Sequence, residues 1–160
     1  MTRHALIALV CSPPALAHAD LAAEVNAHEQ AFARACAAGD VPGVMALYTD
    51  DARVVWPDAG EEGKGKAEIE RLVTALCKQA NKMELTLATL DTVPLDDNHA
   101  ATVAHWEGSA TTPDGKKVPL KIRSTEVLVK SGGAWRYLVD HASIGRPPAR
   151  PAARRPRRRG

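Results

Sequence analysis

The chain is 160 residues long and 45% hydrophobic, yet only 4% aromatic, enough for one domain with a real core and few rings to spare. Its formal charge of +2 hides a segregation: all 19 acids lie between Asp20 and Asp140, while seven of the 21 Lys and Arg crowd the last fifteen residues. With Arg3 also set aside, the middle holds 13 cations against 19 acids, a net of −6, which excludes a basic nucleic-acid-binding domain and any specific nucleic-acid partner.

Residues 1–19 read as a cleaved export signal. Arg3 and His4 give a positive start, "ALIALVC" is a short apolar run, and "ALAHA" offers an A-x-A cleavage site before Asp20. Pro13 and Pro14 stop that run from continuing as a membrane-crossing helix. The expected location is therefore secreted or periplasmic. Cys11 lacks a small residue before it and so has no lipoprotein context. Cys36 and Cys77 would remain after cleavage, either paired in an oxidising compartment or, more simply, buried as small apolar side chains.

Asp20 is a candidate N-cap for a first helix, in which Leu21, Val25, His28, Phe32 and Cys36 form one stripe. Gly39 suits the left-handed position that ends it. Asp40 can cap a short second helix through "VPGVMALY", with Pro42 tolerated in its first turn. Asp50 and Asp51 then read as turn residues before the strand "ARVVW", which Pro57 closes. "DAGEEGKG" reads as a loop. Ile69, Leu72, Val73, Leu76 and Ala80 restore the helical period from Lys66 onward.

From Met83 the pattern becomes alternating. "MELTLATLDTV", "AATVAHWEGSA", "KVPLKIRSTEVLVK" and "AWRYLVDHASI" read as four strands. They are joined by a turn over residues 94–98, by "TPDGK" and by "SGG". The order is three helices and one early strand, then a four-stranded antiparallel meander. That is an α+β domain over residues 20–145, with helices packed on one face of a curved sheet. Residues 146–160, rich in Arg and Pro, lack any apolar stripe and read as a disordered tail.

Three segments, "AAGDVPGVMALYTDDARVVWPD", "GKGKAEIERLV" and "RSTEVLVKSGGAWRYLVDHAS", resemble, in this order, signatures of the nuclear transport factor 2-like superfamily in its SnoaL-like branch. The last is also similar to the association domain of calcium/calmodulin-dependent kinase II. The resemblance covers residues 20–145. It implies a cone, in which the sheet curls around the helices and leaves an apolar pocket at its open end. It also implies a homodimer through the outer sheet face. It does not select a function, because this fold hosts isomerases, cyclases, dehydratases, binders and oligomerising modules.

The isomerase chemistry of the fold needs a carboxylate base and two oxyanion donors. By resemblance, the base position before Pro57 holds Trp56, the helix tyrosine position holds Phe32, and the acidic donor position holds Thr125. The proton-shuttling mechanism is therefore not carried over, and no catalytic residue is assigned. Alternation along the strands, guided by the same resemblance, puts Trp106, Thr125 and Asp140 on the pocket face with Arg123 one step along. Phe32, Trp56, Trp106, Arg123, Thr125 and Asp140 are thus the candidate pocket residues, and Tyr48, His105 and His141 the second rank. His105, His141, Glu107 and Glu126 fall on the other face, Tyr137 opposite Asp140. No local metal-ligand spacing such as H-E-x-x-H occurs, and neither a metal nor a cofactor is expected.

The expected role is binding of a small apolar or aromatic ligand in the cone pocket. Alternatives are an isomerase-, cyclase- or dehydratase-like enzyme in the same pocket, or a dimeric interaction module. The Arg-rich tail could add contact with an anionic surface.

Overall fold

The computed structural model describes residues 14–57, 61–79 and 83–145. The apolar run of the expected export signal and the Arg-rich tail lie outside the described residues. Helix α1 (Pro14–Ala38) is followed by α2 (Val41–Met45), β1 (Tyr48–Val55), β2 (Glu62–Lys64) and α3 (Gly65–Cys77). Strands β3 (Met83–Pro94), β4 (His99–Thr111), β5 (Lys117–Ser131) and β6 (Ala134–Ile144) complete the chain. No described helix is long and apolar enough to cross a membrane.

Helix α1 starts at Pro14, so Asp20 lies inside the helix and is not its N-cap. Proline is pre-organised for a first helical turn, and the alanine-rich run after it carries the helix on. The helix ends as its sequence implies: Gly39 takes φ +67° and donates to Cys36 O at 3.0 Å. Asp40 Oδ1 then accepts from the Gly43 amide at 3.0 Å and caps α2. That helix is shorter than the sequence suggested, because β1 claims Tyr48. Asp50 and Asp51 consequently sit in β1, not in a turn before it. They occupy the stretch where pairing with β6 slips between Tyr48 and Arg53, and both are exposed.

The six strands form one sheet in the order β2-β1-β6-β5-β4-β3. All neighbours are antiparallel except β1 and β6. Strand β2 falls within the segment that read as a loop. Glu, Gly and Lys have little strand propensity, and pairing with Arg53, Val54 and Val55 makes it a strand. The β5–β6 turn is a two-residue hairpin in which Gly132 and Gly133 take φ +62° and +78°, the conformation such a turn demands.

Two irregularities decide which side chains face the helices. In β3 the pairing with β4 skips Ala88. In β6 the pairing with β5 passes from Val139 to Tyr137 and skips Leu138. Each inserts one residue and reverses the facing of everything beyond it. The inner face, covered by α1, therefore carries Ala100, Thr102, Ala104 and Trp106 from β4, and Ser124, Glu126 and Leu128 from β5. From β6 come Trp135, Tyr137 and Asp140. Val25, Val44, Ile69, Leu72 and Val73 meet this face from the helices.

Gly108 closes the sheet at its far end. A Cβ there would lie 1.7 Å from the Glu84 carbonyl oxygen, so β3 can approach β4 this closely only over a glycine. Gly108→Ala is expected to cost roughly 2–4 kcal/mol in urea denaturation. An unchanged midpoint would contradict this close approach.

Candidate functional site

The chain contains six aromatic residues, Phe32, Tyr48, Trp56, Trp106, Trp135 and Tyr137, and all six belong to the core or pack against it. Phe32 is edge-on to Trp106 and Tyr137, with ring centroids at 6.1 and 5.9 Å. Tyr48 and Tyr137 lie 5.0 Å apart. Each Tyr and Trp donates its one polar hydrogen to a side chain, as buried amphipathic rings require. Tyr48 Oη and Trp56 Nε1 both donate to Asp140 Oδ2, at 2.6 and 2.9 Å. Tyr137 Oη donates to Glu29 Oε2 at 2.6 Å, and Trp106 Nε1 to Ser124 Oγ at 2.9 Å. Five residues before Glu29 on α1, Trp135 Nε1 donates to Glu24 Oε2 at 2.8 Å.

Three carboxyl groups are thus buried among the described residues: Glu29 is 0% exposed, Glu126 2% and Asp140 6%. Glu126 accepts from the Thr102 hydroxyl. No Lys or Arg is buried among the described residues, so nothing of opposite charge compensates them inside. Burial disfavours the ionised form, and neighbouring acids raise Glu29 and Glu126 further. Glu29 is pushed up to about 9, by burial first and by the charges of Glu126 and Asp140. Glu126 is pushed up to about 7, chiefly by burial. Asp140 is raised by burial against the pull of Tyr48 and Trp56. His28, stacked edge-on against Tyr137 at 4.4 Å, is lowered to about 4 by burial and by Arg136. Its Nε2 and the Glu29 Oε1 are both buried without a hydrogen-bond partner.

The sequence-predicted residues divide. Phe32, Tyr48, Trp56, Trp106 and Asp140 come together here. Arg123 and Thr125 do not: β4 and β5 pair without a slip, so both share the outer, exposed face with His105 and His141. Glu126 makes the opposite correction and faces in. Tyr137 also faces in, because the extra residue Leu138 puts it on the same side as Asp140. Glu29, His28, Tyr137 and Glu126 were not among the candidates. Glu29 was findable: it stands four residues after Val25 and three before Phe32, an acid inside an apolar stripe. Cys36 and Cys77 are both free thiols; burial pushes Cys36 up to about 12 and raises Cys77. Among the described residues, no group of three His, Cys, Asp or Glu is arranged to hold a metal.

Beyond Trp106 the inner face continues apolar and half-exposed. Leu85 and Leu87 of β3, Ile122 of β5 and Ala142 of β6 lie on it, with Phe32 on the helix above. Two open surface depressions lie elsewhere. One of about 580 Å³ runs along α3 at Glu70, Arg71 and Thr74. Another of about 650 Å³ lies between α1 and β3, at Asn26, Gln30 and Leu90. Neither is lined by any of the three buried acids.

The model of the SnoaL-like domain family matches residues 25–147. No curated protein sequence matches the chain. Among solved structures, a ketosteroid isomerase-like protein from Erwinia carotovora atroseptica superposes with a TM-score of 0.67 at 24% identity, covering 78% of this chain and 96% of that one. A proposed calcium/calmodulin dependent protein kinase II association domain from Xanthomonas campestris gives 0.69 at 24% identity, over 76% and 86%. A proposed dehydratase of the NTF2-like family from Streptomyces avermitilis gives 0.68 at 17%, over 78% and 95%. These likenesses are of fold.

The buried acids make stability depend on pH. Between their unfolded values, near 4.5, and their raised folded values, the unfolded chain has lost protons that the folded chain still holds. Stability therefore falls as pH rises through that window and is recovered on acidification. His28 works the other way, losing stability as pH falls from 6.5 towards 4. The acids outnumber it, so the melting temperature is expected to drop between about pH 5.5 and about pH 8.5. Glu29→Gln should flatten that profile by stabilising the alkaline end. A variant profile as steep as wild type would show that Glu29 is ionised in the fold.

Proposed function

The chain belongs to the SnoaL-like domain family, and on that premise we propose that the concave end of its sheet is a cone-shaped pocket that binds a small apolar or aromatic ligand. The observation that carries this reading is Asp140. Its carboxyl is buried, aligned by Tyr48 and Trp56, and stands where a polar network meets an apolar wall. Small-molecule sites have this composition: mostly apolar surface with a few fixed polar groups. Trp56 and Phe32 are only partly buried, so they are the rings a ligand meets first. Phe32, Trp56, Trp106 and the Leu87–Ile122 wall supply contact area, and Asp140 and Glu126 supply polar anchors.

A second reading is favoured by Glu126, whose carboxyl is poised near neutrality at about 7. A group so placed can both give and take a proton at physiological pH. The pocket would then perform an isomerase-, cyclase- or dehydratase-like proton transfer on its ligand.

The outer sheet face is proposed as the homodimer contact. Val103, Val139 and Val93 stand on it 43%, 36% and 47% exposed, an apolar patch that a second copy would cover. The basic tail would add salt-dependent contact with anionic surfaces.

Titration with a panel of neutral aromatic and alicyclic compounds, followed by tryptophan fluorescence and native mass spectrometry, tests the pocket. Trp56→Ala is expected to weaken binding at least about tenfold. Thr125→Ala and Arg123→Ala, on the outer face, should leave it unchanged. Equal losses in all three variants would place the ligand elsewhere.

A further inference from the structure

We infer that the ligand class of this pocket is cationic: a small aromatic or alicyclic molecule carrying an ammonium group, received among Glu29, Glu126 and Asp140. The inference rests on the pocket reading above and narrows it.

Two observations carry it. The first is an unpartnered oxygen. Glu29 is fully buried, its Oε2 is taken by Tyr137 and its Oε1 meets no hydrogen-bond partner. The carboxyl is close enough to the other two to feel both of their charges. A buried carboxyl oxygen left without a partner is costly; beside an ammonium group the carboxyl gives up its proton, and this oxygen then accepts the ammonium N–H. The second is the balance of groups. The charged or titratable groups facing the cluster are His28, Glu29 and Cys36 from α1, Tyr48 from β1, Glu126 from β5, and Tyr137 and Asp140 from β6. Strand β4 contributes only the Thr102 hydroxyl. His141 also acts weakly on Asp140, but from the outer face. Not one buried cation stands among the described residues.

The walls suit the same guest. Phe32, Tyr48, Trp56 and Trp106 line the region with rings, and the face of an aromatic ring attracts a cation, most strongly when both are out of water. A neutral guest could use the apolar surface but would leave the acids holding their protons. A cationic guest would let one carboxyl ionise beside it, forming an ion pair in place of the missing internal one. The proton released goes to solvent, and no bond to carbon is made or broken.

The test compares matched probes. Phenethylamine and cyclohexylamine are titrated against 2-phenylethanol and cyclohexanol by calorimetry, at about pH 7 in two buffers of different ionisation enthalpy. The amines are expected to bind at least about tenfold more tightly than the alcohols. They should also release up to about one proton per molecule bound. Glu29→Gln should lower amine affinity about tenfold with little effect on the alcohols, and Glu126→Gln provides an independent variant should the first fold poorly. Alcohols that bind as tightly as amines, without proton release, would overturn the cationic assignment and leave the pocket intact. Failure of both series to bind would overturn the assignment and count against the pocket itself.

Discussion

One oxygen atom, Asp140 Oδ2, accepts hydrogen bonds from Tyr48 at the start of β1 and from Trp56 just beyond its end. Strand β1 is the one parallel neighbour in the sheet, and it pairs with β6 through Val54 opposite Asp140 itself. The ladder slips between Tyr48 and Arg53, and the two hydrogen bonds to Asp140 come from either side of that slip. A buried carboxyl is an expensive support. Two donors on one oxygen offset part of that cost, and the raised proton affinity of the group offsets more, since a protonated acid is cheaper to bury than an ionised one.

The same economy extends inward from Asp140. Glu29 is tied to Tyr137, Glu126 to Thr102, and Trp106 to Ser124. These groups thus find side-chain partners, Glu29 Oε1 and His28 Nε2 excepted, while the rings fill the space under α1. The outer face shows the contrasting solution. There Glu84 meets Lys117 and Glu107 meets Lys121 in exposed ion pairs, which contribute little to stability. Lysine-paired carboxylates outside and proton-holding carboxyls inside divide the sheet into a surface neutralised by lysines and solvent and an interior with no buried Lys or Arg among the described residues. That contrast is the physical basis for reading the inner face as a site.

Much of the fold was legible because local chemistry and tertiary structure agree. Gly39 ends α1, Asp40 caps α2, and the Gly132–Gly133 pair turns β5 into β6. The family signatures in the chain pointed to the same architecture. What was not legible depends on pairing rather than on local preference. Strand β2 exists because β1 offers it an edge. The extra residues Ala88 and Leu138 leave no mark in an alternating pattern, yet Leu138 decides that Tyr137 and Asp140 face the same way. Arg123 and Thr125 were placed inside by analogy with isomerase positions, whereas the apolar parity of Ile122, Ser124 and Leu128 puts them outside. Trp56 stands, by resemblance, where the isomerases carry their base, and in the structure it donates a hydrogen bond to the buried carboxyl of Asp140.

Glu29, Glu126 and Asp140 form one interior cluster whose burial raises all three above the ordinary carboxyl range. The most direct measurement is a carbon-13 NMR titration of these three side-chain carboxyls in the unliganded protein. The account predicts that Glu126 titrates at about 7 and Glu29 at about 9, with Asp140 above the ordinary aspartate range. Three ordinary carboxyl titrations, complete by about pH 5, would contradict it.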